Sequence, residues 1–311
     1  MTKKPLIVLT GPTAVGKTKL SIDLAKAVNG EIISADSMQV YKYMDIGSAK
    51  IMPGEMQGVP HHLVDVLMPE EEFHVARFQA MAKEAMQGIY ERGRVPILVG
   101  GTGFYIQAVV RDIDFTETDT DMQYRRELED YAKDHSPQAL HEKLREVDPA
   151  AADEIHANNV KRTVRALEFF YQTGTRISEH NQEQKEKESP YGTRYFVLND
   201  IRSRLYERID RRVDQMLDMG LVEEVRMLQR RGLTKEMVSM QGLGYKEILD
   251  YLDGRCSLEE AVYTLKRDTR HFAKRQLTWF RREKDVIWVN KNEFDYDDEK
   301  ILEYMLGKYY E

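Results

Sequence analysis

Residues 5–28, PLIVLTGPTAVGKTKLSIDLAKAV, join a β-rich run to a helical pattern through a glycine-bounded loop. No other feature constrains the fold as much. Gly11, Gly16, Lys17 and Thr18 satisfy G-x-x-x-x-G-K-[ST] in the context the motif requires, after a strand and opening a helix. Glycines there let backbone N–H groups turn inward around phosphate oxygens, assisted by the positive helix N-terminus. Gly11, Pro12, Thr13, Ala14, Val15, Gly16, Lys17 and Thr18 are therefore the expected cradle for a diphosphate or nucleotide. Lys17 would neutralise the terminal phosphate and the Thr18 hydroxyl would ligate Mg²⁺. A bare strand-to-helix turn has no need of that lysine and hydroxyl together.

The rest of the chain extends this start into an α/β fold. GEIISA (30–35), VPILVGG (95–101), RYFVLN (194–199) and DVIWVN (285–290) are further short β-rich runs. Helical patterns separate most of them, which implies a P-loop NTPase-like parallel sheet covered by helices. Between about 113 and 190 the pattern changes: no strand run is present, and helix starts are marked by Ser136-Pro137, Asp148-Pro149 and Asn158 or Asn159. This segment is expected to be an all-helical insertion, with 1–112 and 191–311 forming the core. The polar stretch SEHNQEQKEKESPYG (178–192) reads as a connection without structure of its own.

Composition limits the setting more than the chemistry. The single cysteine, Cys256, excludes an internal disulfide. No run approaches the ~20 apolar residues of a membrane span, and the opening LIVL is too short for a secretory core. A cytoplasmic protein is expected, with monomer as the default state. Net charge is −7, yet 202–212 carries five arginines against two acids, and 266–284 carries eight Lys/Arg against two acids. Such polarised runs suit either a polyanion or a solvated helix face.

Absent motifs narrow the activity. The nearest match to a guanine-reading N-K-x-D is NKNE at 290–293, and the strand VPILVGGTG ends in glycine and threonine rather than in a carboxylate. A nucleotide-driven machine is disfavoured. A carboxylate does follow the second strand, in IISADSMQVYKYMDIGSAK, where Asp36 stands at the edge of the sheet that carries ligands in such folds. Ser37 and Gln39 beside it suit a planar polar ring. Asp36 could equally cap a short helix. The neighbouring His61 and His62 read as structural rather than metal-binding.

GPTAVGKT, DSMQVYKYMDIGSAK, PHHLVD, GGTGFY, RALEFFYQTG, GLGYKE and AKRQLTWFRR, in this order, resemble the motifs of the tRNA dimethylallyltransferases, or tRNA isopentenyltransferases. The resemblance runs from residue 7 to about 290; Val15, Phe104 and Ile51 depart from the familiar pattern without removing a reactive group. Eukaryotic members add a C-terminal zinc finger and this chain ends in GKYYE, which resembles the bacterial type. The family implies transfer of a dimethylallyl group from dimethylallyl diphosphate to the exocyclic amine of the adenosine 3′ of the anticodon, with Mg²⁺. By resemblance, Asp36 is the general base, and Thr13, Lys17 and Arg212 serve the diphosphate. Arg208, one turn from Arg212, could touch RNA phosphate or pair with Asp210 or Glu207. The same resemblance assigns tRNA contacts to Asp36, Ser37, Met38 and Gln39, to Gly101 and Thr102, to Lys161, Arg162, Thr163, Val164 and Arg165, and to Gln241, Gly242, Leu243, Gly244, Tyr245 and Lys246. For Tyr245, core packing competes with base stacking. The rival activity is a small-molecule or nucleoside kinase using ATP on the same loop, which the two basic runs disfavour.

Overall fold

The computed structural model describes residues 3–115 and 122–311; residues 116–121 of the expected insertion lie outside them. Two compact units result, Met1–Val110 with Ser189–Glu311, and Arg111–Glu188. The strands are β1 (Lys4–Thr10), β2 (Gly30–Ala35), β3 (His61–His62), β4 (Val95–Gly100), β5 (Tyr191–Asn199) and β6 (Val286–Asn290). The helices preceding the second unit are α1 (Lys17–Ala27), α2 (Val75–Glu91) and α3 (Gly103–Val110). That unit holds α4 (Met122–Asp134), α5 (Pro137–Val147), α6 (Pro149–Glu154), α7 (Val160–Thr173) and α8 (Ile177–Glu186). Back in the first unit are α9 (Arg202–Asp218), α10 (Leu221–Arg230), α11 (Tyr245–Leu252), α12 (Leu258–Phe280) and α13 (Asp298–Tyr310).

All six strands of the first unit form one sheet in the order β3-β2-β4-β1-β5-β6, and every pairing is parallel. Side chains alternate across a strand, so β1 serves two cores at once. Leu6 and Val8 join Phe78 of α2, Ile106 of α3 and Leu265 of α12. Ile7 and Leu9 face the opposite way, toward Leu20 and Leu24 of α1, Ile209 of α9 and Ile301 of α13. Burial on both faces explains why the strands are continuous apolar runs rather than alternating ones. The two-residue β3 is the exception. Two histidines carry no strand signal, and β3 exists because Ile32 donates its N–H to Pro60 O (2.9 Å) and His62 reaches Glu31.

The chain leaves β1 toward β2 on one side and leaves β4 toward β5 on the other. Adjacent strands whose connections diverge open a crevice beyond their C-terminal ends, the position where open α/β sheets bind ligands. Residues 11–16 and 101–103 flank that crevice.

The second unit has no strand among its described residues. Leu140 and Leu144 of α5 pack with Val164 and Leu167 of α7. Three of its helix starts are side-chain capped: Ser136 accepts from Ala139 N, Asp148 from Ala151 N, and Asn159, rather than Asn158, from Arg162 N. The stretch 178–192 corrects the sequence reading. Most of it is α8 and the start of β5, with a short connection between them. Ser178 docks the helix by donating its N–H (3.0 Å) and Oγ–H (2.7 Å) to the Asp148 carboxylate, and Gln182 bonds Glu186 one turn on. Polarity had hidden these local bonds.

Candidate active site

Steric demands, not only motif, place the glycines of the loop after β1. A Cβ on Gly11 would sit 2.4 Å from Leu198 O, and the backbone there has φ +145°. Gly16 caps α1 at φ +100°, and Ala14 accepts a left-handed φ of 63°. Val15 is wholly buried and anchors the loop, so it offers a ligand its backbone alone. Lys17 Nζ donates to Gly11 O and Pro12 O, both at 2.9 Å. Burial first, then the nearby Arg212, pull the Lys17 pKa down to about 7, opposed by Asp36.

Both α9 arginines turn to this loop. Arg208 Nε donates to Ala14 O at 2.7 Å. It therefore braces the cradle, and Asp210 pairs instead with Arg270 at 2.5 Å. Arg212 lies deeper. Burial lowers its pKa, Asp36 opposes the shift, and Arg208 adds to it. Three cations and one carboxylate thus meet at the loop, a positive excess suited to a polyanion.

Asp36 stands where β2 ends. Its Oδ1 accepts from Met38 N (2.8 Å) and Gln39 N (3.4 Å). Asp36 therefore caps a turn, and the two backbone donors fix the carboxylate without using its charge on an ion pair. Gln39 is fixed as well: Oε1 accepts from Ser34 Oγ at 3.2 Å and Nε2 donates to Ala49 O at 3.2 Å.

Gln276 of α12 was missed by sequence reasoning. It is buried, accepts from Thr13 N (2.9 Å) and donates to Gly101 O (3.0 Å). One amide therefore ties the phosphate loop to the loop after β4 across the crevice. A Cβ on Gly101 would fall 2.2 Å from Gln276 Nε2, so a larger residue there would displace the amide from this bridge. The sole sequence signal was a neutral glutamine amid the basic run KRQ.

Residues 45–50 were missed too. Glu224 of α10 accepts three successive backbone N–H groups, from Asp45 (2.9 Å), Ile46 (2.8 Å) and Gly47 (3.0 Å). Tyr245 donates its hydroxyl to Glu224 (2.8 Å) and accepts from Ser48 N (3.1 Å). Lys50, itself buried, reaches Tyr41 O, Asp45 and Asp65. Tyr245 is consequently a core strut with no exposed surface, which removes it as a stacking platform for a base. Burial and the contact with Glu224 push its hydroxyl pKa well above the ordinary tyrosine value.

A cavity of about 1230 Å³ collects these elements; Thr13, Gly16, Lys17 and Thr18 line it together with Asp36 and Arg212. Ser37, Met38, Gln39, Gly101, Thr102, Gln241, Gly242, Leu243 and Lys246 share its walls. Gly242 packs against Met38, whose Cε lies 2.6 Å from where a Cβ would stand. Gly244 and Tyr245 lie behind that wall. In the second unit, Lys161, Arg162 and Arg165 are exposed on α7. Thr163 and Val164 are buried in that unit's interior, so their side chains are unavailable to RNA.

Comparison with known proteins gives a consistent result. The sequence profile described as IPP transferase matches residues 39–283. A protein of Lachnoclostridium phytofermentans named tRNA dimethylallyltransferase is 63% identical over 300 residues, 96% of each chain. The crystal structure of the full-length tRNA isopentenylpyrophosphate transferase from Bacillus halodurans is similar with a TM-score of 0.74 at 48% identity, covering 99% of this chain and 97% of that one. A eukaryotic dimethylallyltransferase, described in crystallographic snapshots as acting on tRNA, gives a TM-score of 0.78 at 32% identity over 92% of this chain and 74% of its own.

Proposed function

Because the chain belongs to the IPP transferase family, we propose that it transfers a dimethylallyl group from dimethylallyl diphosphate to the exocyclic amine of the adenosine 3′ of the anticodon in tRNA, releasing diphosphate. One observation carries the division of labour: the anion cradle and the Asp36 carboxylate open onto the same cavity. The bond that breaks joins carbon to oxygen. The loop therefore stabilises a leaving group rather than a phosphoryl group in transit, with preorganised N–H donors, Lys17, Thr13 and Arg212 set against charge that grows as that bond stretches. The adenine amine is a weak nucleophile, its lone pair being delocalised into the ring. Asp36 accepts its proton as the carbon–nitrogen bond forms.

Mg²⁺ fits the donors present. Among the described residues no three His, Cys, Asp or Glu side chains gather to hold a metal, while the Thr18 hydroxyl faces the cavity. One protein ligand is what a Mg²⁺ held chiefly by substrate oxygens and water requires. When bound, it supplies further positive charge to the diphosphate.

The base must leave its stack to reach Asp36. Ser37, Met38, Gln39, Gly101, Thr102 and the 241–243 wall with Lys246 are the surfaces it would meet, and Lys161, Arg162 and Arg165 are suited to phosphates. No helix among the described residues is long and apolar enough to cross a membrane. The reading includes a cytoplasmic monomer. The test is incubation with dimethylallyl diphosphate labelled in its carbon chain and unmodified tRNA. Label enters the RNA without ATP; labelling that needs ATP and comes from its γ-phosphate defeats this reading and favours a kinase.

A further inference from the structure

Lys17, Arg208 and Arg212 meet the phosphate loop from the cavity. A fourth cation reaches it from behind, out of the C-terminal segment that the proposed chemistry does not use. Lys291 follows β6 directly and opens a short 3-10 turn, Lys291–Phe294. Its side chain is buried and stands outside the cavity wall. Its place is marked by Gly16, which caps α1: a Cβ there would stand 3.2 Å from Arg208 Nη2 and 3.4 Å from Lys291 Nζ. Both cations therefore lie against the turn that presents its N–H groups to an anion. The Lys291 charge is thus within about 10 Å of a phosphate held on the α1 N-terminus, close enough for a charge shielded from solvent to act on it.

One carboxylate serves two lysines here. Lys291 Nζ donates to Asp298 Oδ1 (3.1 Å) and Lys19 Nζ to Asp298 Oδ2 (3.0 Å). Lys19 is exposed and screened by water; Lys291 is buried and keeps part of its charge uncompensated. The chain turns sharply to bring Asp298 back to Lys291. Tyr296 N donates to Lys291 O (3.0 Å) and Asp297 N to Phe294 O (2.9 Å). Asp295 and Tyr296 both take a left-handed φ, 54° and 61°, which residues with a Cβ disfavour. Beyond the turn, Ile301 and Met305 of α13 share a core with Leu20 and Leu24 of α1. Stability alone does not call for a buried lysine at this place, since an apolar side chain of similar volume is often as good or better. Beside an anion cradle its charge has a use.

We infer that Lys291 is a positioning residue for the leaving group. From behind Gly16 it raises the positive potential of the cradle, and Asp298, by pairing with it, sets how much of that charge the diphosphate meets. The inference rests on the cradle holding a diphosphate. Two substitutions in the full chain test it, because they act in opposite directions. Lys291→Met raises Kd for inorganic diphosphate and KM for dimethylallyl diphosphate by about 3- to 10-fold; Asp298→Asn, which leaves the lysine unopposed, lowers both by a similar factor. Lys19→Met, which removes the exposed partner of the same carboxylate, changes them by less than about 2-fold. Kd for an anticodon stem-loop RNA is unmoved in all three. When Asp298→Asn is combined with Lys291→Met the tightening vanishes, since Asp298 acts through Lys291. Should Asp298→Asn weaken the fold, the thermal shift on adding inorganic diphosphate still exceeds that of wild type, while in Lys291→Met it falls short. Weaker diphosphate binding in both single variants makes the pair a structural brace and overturns the inference, as do unchanged constants. A wild-type chain that binds no diphosphate overturns the cradle itself and the inference with it, a distinct result.

Discussion

Two carboxylates at opposite ends of β2 have opposite fates. Glu31, the second residue of the strand, is buried and fully partnered: Arg92 takes both its oxygens (2.9 and 2.7 Å), Arg94 adds a third contact at 3.0 Å and His62 a fourth at 2.7 Å. Asp36, just past the other end, has cations nearby but, among the described residues, backbone N–H donors alone on its oxygens. A closed cluster of charge holds the edge strand β3 in place and has nothing left to give. An open one keeps a carboxylate, Lys17 and Arg212 available to groups that arrive from outside. Position on the sheet decides between them, since ligands bind beyond the C-terminal ends of parallel strands.

The comparison is broken most directly at its open end. Asp36→Ala lowers the single-turnover rate of prenyl transfer by about 10²–10⁴-fold, the range for a lost general base, while tRNA affinity is kept. An unaltered rate would remove Asp36 from that role and leave it a turn cap. Glu31→Gln should do the reverse. It costs about 2–4 kcal/mol of stability in denaturant titration, somewhat below the cost of breaking a wholly buried pair because both arginines are partly exposed, and spares the rate constant of the residual folded enzyme.

Acid sharpens the same contrast. The hydrogen bonds from Arg92 chiefly, with His62 assisting and burial opposing, hold the Glu31 pKa down to about 2 against an ordinary 4.5. A depressed carboxylate pKa stabilises the fold above the unfolded value. That contribution, about 3 kcal/mol, is therefore lost as pH falls from roughly 4.5 to 2, and pH-dependent melting of wild type against Glu31→Gln measures it. The smallest effect belongs to Lys17. With its pKa near 7, this amine is partly neutral in the free protein; a bound diphosphate favours the charged form. Binding near pH 8 then takes up as much as about one proton, and near pH 6 almost none. Calorimetry in buffers of different ionisation enthalpy reads this directly, and Lys17→Met abolishes the uptake.

Much of the fold was legible because it rests on local rules. Five of six strands announce themselves as short apolar runs, and Ser136, Asp148 and Asn159 mark helix starts by capping chemistry that acts within three residues. β3 was not legible, since what holds it is the bond from His62 to Glu31, 31 residues earlier, and not a run of strand-forming side chains. The helix at 177–186 was obscured by polarity, because the Asp148 contact that docks it is also distant in sequence.

The site divides along the same line. Gly11, Gly16, Lys17 and Thr18 lie in one turn of chain, so their cooperation on a phosphate is inscribed in the spacing itself; the place of Asp36 after the second strand singled it out, and family resemblance added its role and Arg212. What tertiary structure alone decided is how distant segments are clamped to that turn. Gln276 joins Thr13 to Gly101 across separations of 263 and 175 residues, and Glu224 with Tyr245 grips residues 45–48. A glutamine or glutamate has the same side chain on a solvated helix face as in a buried strut. Only the neighbours that the fold brings to it say which donors it satisfies, and a linear spacing rule contains no such neighbours.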